Sequence, residues 1–163
     1  MCTRVVRTLR TPKALCSNAT VRAGYNGLES RAEAYATAQR TMEPGTVEGI
    51  HLFNTREFFE AHEALEAVWL KTKGDRKTFL HGLIQVAAAF HHHTHGNPAG
   101  FRSLLEKGCT KLERLGAETE GVDLAGLILE LRPWREHLDR SSQHAAPTPP
   151  LPRIKLIIKR SSD

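Results

Sequence analysis

The sequence predicts an all-α fold: a single bundle of four to five antiparallel helices with short loops and an extended, Pro-rich C-terminal tail. Three observations lead to this class. Apolar residues recur at helical spacing from Leu52 onward, and glycine and proline separate the periodic stretches. No alternating strand pattern, Gly-rich phosphate loop or internal repeat is visible. Short connections between helices make sequence neighbours pack antiparallel.

Length and composition are those of one ordinary globular domain with tails. The chain has 163 residues, of which 40% are apolar and 25% are charged. The expected division is a disordered or non-native extension over residues 1–41, a helical domain over 42–145 and an extended tail over 146–163. No apolar stretch is long enough to cross a membrane. The three cysteines form no C-x-x-C pair, so a reducing, cytoplasmic setting is expected.

The net charge of +5 belongs to the two ends of the chain. Residues 1–28 contain five Lys or Arg and no acid, and residues 153–160 contain four more. Between them, residues 29–152 hold 14 Lys and Arg against 17 Asp and Glu. A basic core that binds nucleic acid is therefore not indicated. The candidate partners are a second copy of the chain or another protein.

The Arg-rich segment 1–28 has two interpretations. It fits an organellar transit peptide, and it fits translated upstream sequence with Met42 as the true start. The second is favoured because domain-like sequence begins soon after Met42. A short helix over Ser30–Arg40 is predicted from its Ala and Glu content.

The first helix of the domain is predicted to run from Asn54 to about Lys71. Asn54 is a suitable N-cap and Glu57 occupies the N3 position, as in a capping box. Phe53 and Phe58 occupy the two positions of a hydrophobic staple. The sequence therefore predicts one amphipathic helix at this point.

The second helix is predicted from near Asp75 to about His95, after a left-handed turn at Gly74. Its apolar residues extend far around the helix, which indicates a central, buried position. The run Gly96-Asn97-Pro98 then supplies a left-handed residue, an N-cap and a first helical residue. We expect one helix to end and the next to begin there.

The third helix is predicted over Pro98–Leu115. Gly108 in its middle costs about 1 kcal/mol relative to Ala, and close approach of another backbone would explain it. The fourth helix is predicted to begin at about Asp123. Pro133 forbids a regular continuation, so we expect a kink or a second short helix that carries Trp134 and Leu138 inward. The aliphatic tail beyond residue 153 is expected to pack back on the bundle or to pair with a partner as a strand.

One face of the first helix carries the residues whose side chains are best suited to binding or catalysis. His62, Glu66 and Trp69 lie at positions i, i+4 and i+7, so they project from one side. Glu63 points away from His62 toward a neighbouring surface. A histidine and a carboxylate on an otherwise apolar face indicate either a hydrogen-bonded structural pair or the beginning of a site.

A second polar line runs along the second helix, where His81, Gln85 and His92 lie close to one another around the helix axis. Because a short turn joins the two helices, their middles should face each other. His62 and Glu66 can then meet Gln85 and either His81 or His92.

Four functions remain open for this cluster. A His–Glu–Gln network can fix helix register without chemistry, and a partner or small ligand can bind it. A divalent metal such as zinc can be held by His62, Glu66 and a third ligand, His92 or His81, and would make a metal-assisted hydrolase. His62 and Glu66 can also act as a metal-free acid–base pair. We expect a structural or partner-binding role first, with the hydrolase as the alternative.

Two motifs resemble the family known as domain of unknown function 309. The run from Phe53 to Trp69 matches Phe-Asn-x-x-x-Phe-Phe-Glu-Ala-His-Glu-x-Leu-Glu-x-x-Trp, and a second run, Phe79–Ala87, is followed by His92 and Gly96-Asn97. The resemblance covers about Leu52–Leu115. It implies a small helical protein of a family found in bacteria and archaea.

In that family the motif His-x-x-x-Glu-x-x-Trp is a candidate active-site signature. It maps here onto His62 and Glu66, the candidate catalytic residues, and onto Trp69. The family often has Gln where this chain has His81. The wider binding or structural network is expected to comprise Glu63, Trp69, Gln85 and Asn97.

Overall fold

The computed structural model describes residues 35–36, 42–140 and 147–157, with side chains defined up to residue 137 in the last helix. Residues 42–140 contain five helices, which are α1 (Pro44–Thr55), α2 (Phe58–Trp69), α3 (Gly74–Thr94), α4 (Pro98–Leu112) and α5 (Leu124–Arg140). A small antiparallel sheet, β1 (Glu118–Thr119) with β2 (Val122–Asp123), precedes α5. The predicted all-α bundle is confirmed. Most of the predicted helix at Ser30–Arg40, and the side chain of Leu138, lie outside the described residues.

The predicted first helix, Asn54 to about Lys71, corresponds to α2 (Phe58–Trp69), but its predicted start was wrong, because Asn54 belongs to the end of a preceding helix, α1. Helix α1 ends at Thr55, and Arg56 takes a left-handed conformation with φ 74°. The Arg56 and Glu57 amides donate to the carbonyls of Phe53 and Leu52, which closes the end of α1. Asn54 therefore lies inside a helix and cannot cap one, whereas Phe53 still contacts Phe58 across the break.

Helix α1 was missed although its sequence carries a signal for it. Pro44 stands at the first position, as is common at helix N-termini. Val47, Ile50 and Phe53 follow at three-residue intervals and are all buried. The break after α1 allows α2 to turn back and pack against it.

The other junctions follow local chemistry, as predicted. Gly74 and Gly96 both have φ near 66°, the left-handed conformation that glycine adopts without a steric penalty. The Gly100 amide donates to Asn97 Oδ1 (2.9 Å), and Pro98 occupies the first turn of α4. At the start of α5 the Gly126 amide donates to Asp123 Oδ1 (2.8 Å).

Pro133 neither divides the last helix nor ends it. Helix α5 continues through Pro133 to Arg140. The carbonyl that loses its helical partner belongs to Leu129, four residues earlier, and Leu129 is 58% exposed. Water can therefore satisfy that carbonyl, while the buried side chains of Leu131 and Trp134 keep both halves of the helix on the core.

The β-hairpin between α4 and α5 was not predicted. Glu120 and Gly121 form its two-residue turn, with φ of 53° and 75°, the pair of positive values that a type I′ turn requires. Val122 also pairs with Leu156, and the Ile157 amide donates to the Gly121 carbonyl (2.8 Å). The tail thus packs back beside the hairpin, one of its two expected positions.

Asn54 holds the tail from the opposite side. Its Nδ2 donates to the Ile154 carbonyl (2.8 Å), and its Oδ1 accepts from the Ile154 amide (2.9 Å). The side chain of Ile154 is buried in the core. Two more bonds come from α5, where Trp134 Nε1 donates to the Pro150 carbonyl and Glu130 accepts from the Arg153 amide.

Trp134 lies fully buried at the centre of an aromatic cluster that joins α3, α4 and α5. Phe90, Phe101 and His93 have ring centroids 4.8–5.7 Å from that of Trp134. Burial lowers the pKa of His93, and the nearby His137 lowers it further.

None of the helices in the described ranges combines the length and the apolar character needed to cross a membrane.

The protein is expected to lose stability as the pH falls below about 6.5, the ordinary pKa of histidine. The pKa of His93 is lower in the folded protein, so the unfolded chain binds more protons in this range and the free energy of unfolding falls. Urea unfolding at about pH 7.5 and 5.5 measures the loss. The His93→Gln variant should lose less than the wild type, whereas His51→Gln, at an exposed position, should not differ from it. An equal loss in all three proteins would assign the effect to other groups.

Candidate functional site

The polar face of α2 lies against α3 in an antiparallel register. Phe59, near the start of α2, contacts His91 near the end of α3, with ring centroids 5.3 Å apart. At the other end Trp69 contacts His81 with centroids 5.4 Å apart. The predicted meeting of the two helix middles is thus observed, and His62 and Glu66 lie between these two contacts along α2.

A cleft of about 220 Å³ opens along this contact. Its polar lining comes from five residues that the sequence analysis identified: His62, Glu66, Trp69, His81 and Gln85. Its apolar lining comes from Ile84, Ala88 and Leu104. Helices α2, α3 and α4 therefore all contribute to one partly open site.

The polar groups of the cleft do not form the closed network that a purely structural cluster requires. Within the described residues, no hydrogen bond joins His62, Glu66 and Gln85 to one another. Gln85 Oε1 instead accepts from Lys111 Nζ of α4 (2.9 Å). His62 Nδ1 and Trp69 Nε1 are buried without a hydrogen-bond partner in the described parts of the chain. Leaving such a group unpaired costs about 1–3 kcal/mol.

The charges around the cleft are unevenly distributed. Glu66 is the only carboxylate in the lining, and no Lys or Arg belongs to it. Burial lowers the pKa of His81, and the positive charges of Lys111 and Lys77 lower it further, so His81 is neutral at neutral pH. Lys77 Nζ lies 4.3 Å from the centroid of the Trp69 ring, a cation–π contact.

His92 and Asn97 lie together at a different place. Asn97 Nδ2 donates to His92 Nδ1 (3.1 Å) at the junction of α3 and α4, and neither residue lines the cleft. Among the described residues no group of three or more His, Cys, Asp or Glu side chains is arranged to hold a metal ion. A zinc site made of His62, Glu66 and His92 is therefore not formed in this arrangement.

Two further residues of interest lie away from the cleft. Glu63 is exposed and points outward from α2, as predicted. Cys109 is buried in α4, and burial raises the pKa of its thiol to about 11. Only the thiolate is a strong nucleophile, so Cys109 is inert at neutral pH.

Sequence reasoning missed several residues at the site. Ile84 and Ala88 share a stripe with His81 and Gln85, since three- and four-residue steps return to one helix face; that spacing could have identified them. Lys111 and Leu104 belong to α4, and local sequence gives no signal for how α4 is rotated against α3.

Similarity to known proteins was found over the same part of the chain. The model of the family described as domain of unknown function (DUF309) matches residues 46–104. The uncharacterized protein YpuF of Bacillus subtilis is 39% identical over 80 residues, which cover 47% of this chain and 45% of that protein. An uncharacterized protein of Aquifex aeolicus is 28% identical over 113 residues, which cover 69% of this chain and 32% of that protein.

The chain thus spans less than half the length of these curated relatives. The matched range contains α2, α3 and most of α1, together with all eight residues that line the cleft. The resemblance to this family is confirmed over residues 46–104, the part of the chain that the family model matches.

Proposed function

We propose that this domain is a binding module whose cleft receives one polar group, of about the size of an amino-acid side chain, from a partner. The observation that carries the proposal is the state of the polar lining. His62, Glu66 and Trp69 line the cleft and are not hydrogen-bonded to one another in the described residues, and His62 Nδ1 and Trp69 Nε1 are buried without a partner there. Buried polar groups in a purely structural cluster are normally paired.

The size of the cleft limits what can enter it. Sites for drug-sized ligands usually measure about 300–1,000 Å³, and this partly open cleft measures about 220 Å³, so it encloses less than a nucleotide or a flavin needs. A single side chain, or a metabolite of that size, is the better fit.

The lining has the composition of a binding site. Apolar contact is available from Ile84, Ala88 and Leu104, and hydrogen bonding from Glu66 and the two histidines. A few polar groups on an apolar wall are the usual composition of a binding site. His62, Glu66 and His81 all line the cleft, but no three His, Cys, Asp or Glu side chains of the described residues are grouped so as to hold a metal ion, so no observation favours the metal-assisted hydrolase.

The proposal can be tested with the indole resonances of the full chain. Trp69 lines the cleft, whereas Trp134 Nε1 is bonded to the Pro150 carbonyl in the core and serves as an internal reference. Methylguanidinium, acetamide and acetate are titrated separately. We expect at least one to move the Trp69 signal saturably and to leave the Trp134 signal unchanged. The Ala88→Leu variant, which fills the cleft, should abolish the shift. If none of the probes moves the Trp69 signal, the proposal is wrong.

Substitutions at the polar face are expected to have little effect on stability. His62→Gln and Glu66→Gln remove no hydrogen bond within the described residues, so the free energy of unfolding should change by no more than about 1 kcal/mol. Leu65→Ala, at a fully buried position between them, should lose about 2–5 kcal/mol. Urea unfolding of the three variants measures the difference. Losses of several kcal/mol at His62 and Glu66 would instead favour a structural role.

A further inference from the structure

A partly exposed stripe runs along α2 beside the cleft, and its first residue, Phe59, also contacts His91 of α3. It consists of Phe59, Glu63 and Glu66 of α2 and of Leu70, the residue that follows the helix, at positions i, i+4, i+7 and i+11, and is hereafter called the α2 stripe. Phe59 is 49% exposed and Leu70 is 67% exposed, and they are two of the three large exposed apolar residues within the described ranges. The opposite face of α2 is buried against α1 and α3.

The charged residues of the α2 stripe are all acidic. Helix α2 contains Glu60, Glu63 and Glu66 and no Lys or Arg. None of the three carboxylates has an ion-pair partner among the described residues, although the structure holds ion pairs elsewhere, such as the one between Arg135 and Glu106. The stripe is therefore acidic at its centre and apolar at both ends.

We propose that the α2 stripe binds a basic amphipathic helix of a partner protein, one of whose Lys or Arg side chains enters the cleft between Glu66 and Trp69. The length fits, since Phe59 and Leu70 are eleven residues apart, about 16 Å or roughly three helical turns. The complementary helix has apolar residues at its ends and cations in its middle. This inference rests on the proposed function and names the group that the cleft takes.

The cleft offers a suitable seat for a cation. Glu66 supplies the negative charge, and an indole face attracts ammonium and guanidinium groups. Lys77 Nζ lies 4.3 Å from the centroid of the Trp69 ring, so an incoming cation must displace Lys77 or approach the opposite face of the ring. Glu66 belongs both to the stripe and to the cleft lining, so a helix that lies on the stripe can direct a long basic side chain into the cleft.

A second copy of this chain fits the stripe poorly. Antiparallel pairing of two such helices would place Phe59 near Leu70 of the copy, which is favourable. The same register would place Glu63 near Glu66 of the copy, which brings like charges together at the centre. A basic partner avoids this repulsion and gains two ionic contacts, and complementary charge of this kind selects partners.

The test uses the full chain and a synthetic amphipathic peptide of about four helical turns, with Leu at both ends and Lys and Arg between them. A matched peptide has Glu at every basic position. We expect only the basic peptide to move the Trp69 indole resonance saturably, with weaker binding at high salt. Methylguanidinium is titrated alongside and reports on the cleft alone.

Variants of the chain locate the contact. The pair Glu63→Gln with Glu66→Gln, and the pair Phe59→Ala with Leu70→Ala, should each weaken peptide binding about tenfold, since each pair removes two exposed contacts of the interface. Leu129→Ala, at the third exposed apolar position, should have no effect. Equal binding by all variants would overturn the inference.

Two other results would overturn this inference without touching the proposed function. If a small probe occupies the cleft but the basic peptide does not bind, the cleft takes a free ligand and not a helix. If the full chain is a dimer that Phe59→Ala with Leu70→Ala dissociates, the stripe belongs to a second copy. Both results can be read from the indole spectra and from light scattering.

Discussion

Replacing Gly108 by leucine is expected to lower the free energy of unfolding by about 3 kcal/mol or more, the upper end of the range for overpacked cores. A Cβ at this position would lie 3.1 Å from the Gly82 carbonyl oxygen and 3.2 Å from the Val86 amide nitrogen. Both atoms belong to the backbone of α3, which cannot move aside as a flexible side chain can. A leucine there must separate α3 from α4.

A graded series makes this result specific. Gly108→Ala gains about 1 kcal/mol of helix propensity but needs a shift of a few tenths of an ångström, so its net effect should be small. Thr110→Leu introduces the same side chain at an exposed position of α4 and should change stability by no more than about 0.5 kcal/mol. Urea unfolding compares the three variants. If Gly108→Leu and Thr110→Leu are equally stable, the two backbones do not meet at Gly108.

Gly108 also illustrates which features of the fold can be predicted from sequence. A glycine in mid-helix is unfavourable alone, so its presence predicted a close backbone contact, and Gly82 provides one. The junction at Gly96, Asn97 and Pro98 was predictable for a related reason: each residue type favours its observed conformation locally. Such signals need no knowledge of the rest of the chain.

The break between α1 and α2 could not be predicted in this way. Asn54 and Glu57 have the spacing of a capping box, so the local pattern favours a helix start. The competing arrangement depends on Ile154, one hundred residues away, whose backbone takes both hydrogen bonds of the Asn54 amide. A tertiary contact of this separation decides between two locally acceptable structures.

In the candidate site, too, residue spacing predicts some features, whereas others depend on tertiary packing. Helical spacing predicted that His62, Glu66 and Trp69 share a face, and the short turn predicted that they meet α3. His92 was a candidate for the same cluster, but seven residues separate it from Gln85, which is about 10 Å along a helix. The antiparallel register fixed by Phe59 with His91 puts His92 beyond the level of His62. Whether polar groups bond or leave a cleft depends on side-chain packing, which no residue spacing specifies.

Replacing Asn54 by leucine, a side chain of similar size without polar atoms, is expected to lower the free energy of unfolding by about 2–4 kcal/mol. The change leaves the amide and the carbonyl of Ile154 without partners, and each buried unpaired group costs about 1–3 kcal/mol. Ile154 is only 2% exposed, so water cannot replace the lost bonds while the tail stays docked.

The free energy of unfolding that Asn54→Leu loses has an upper limit. The tail can leave its docked position when docking becomes less favourable than release. A chain that ends at residue 146 measures this limit, since it lacks the docked segment altogether. Asn54→Leu should be no less stable than the truncated chain. Glu48→Leu, at an exposed position of α1, should unfold like the wild type.

Trypsin can distinguish release of the tail from general destabilisation. Arg153 and Lys155 are exposed, but their backbone is held by Glu130, Asp123 and Asn54, so the docked segment should resist cleavage. In Asn54→Leu we expect cleavage after Arg153 and Lys155 at protease levels that leave the helices intact. A variant whose tail stays protected and whose stability is unchanged would mean that Asn54 does not anchor the tail.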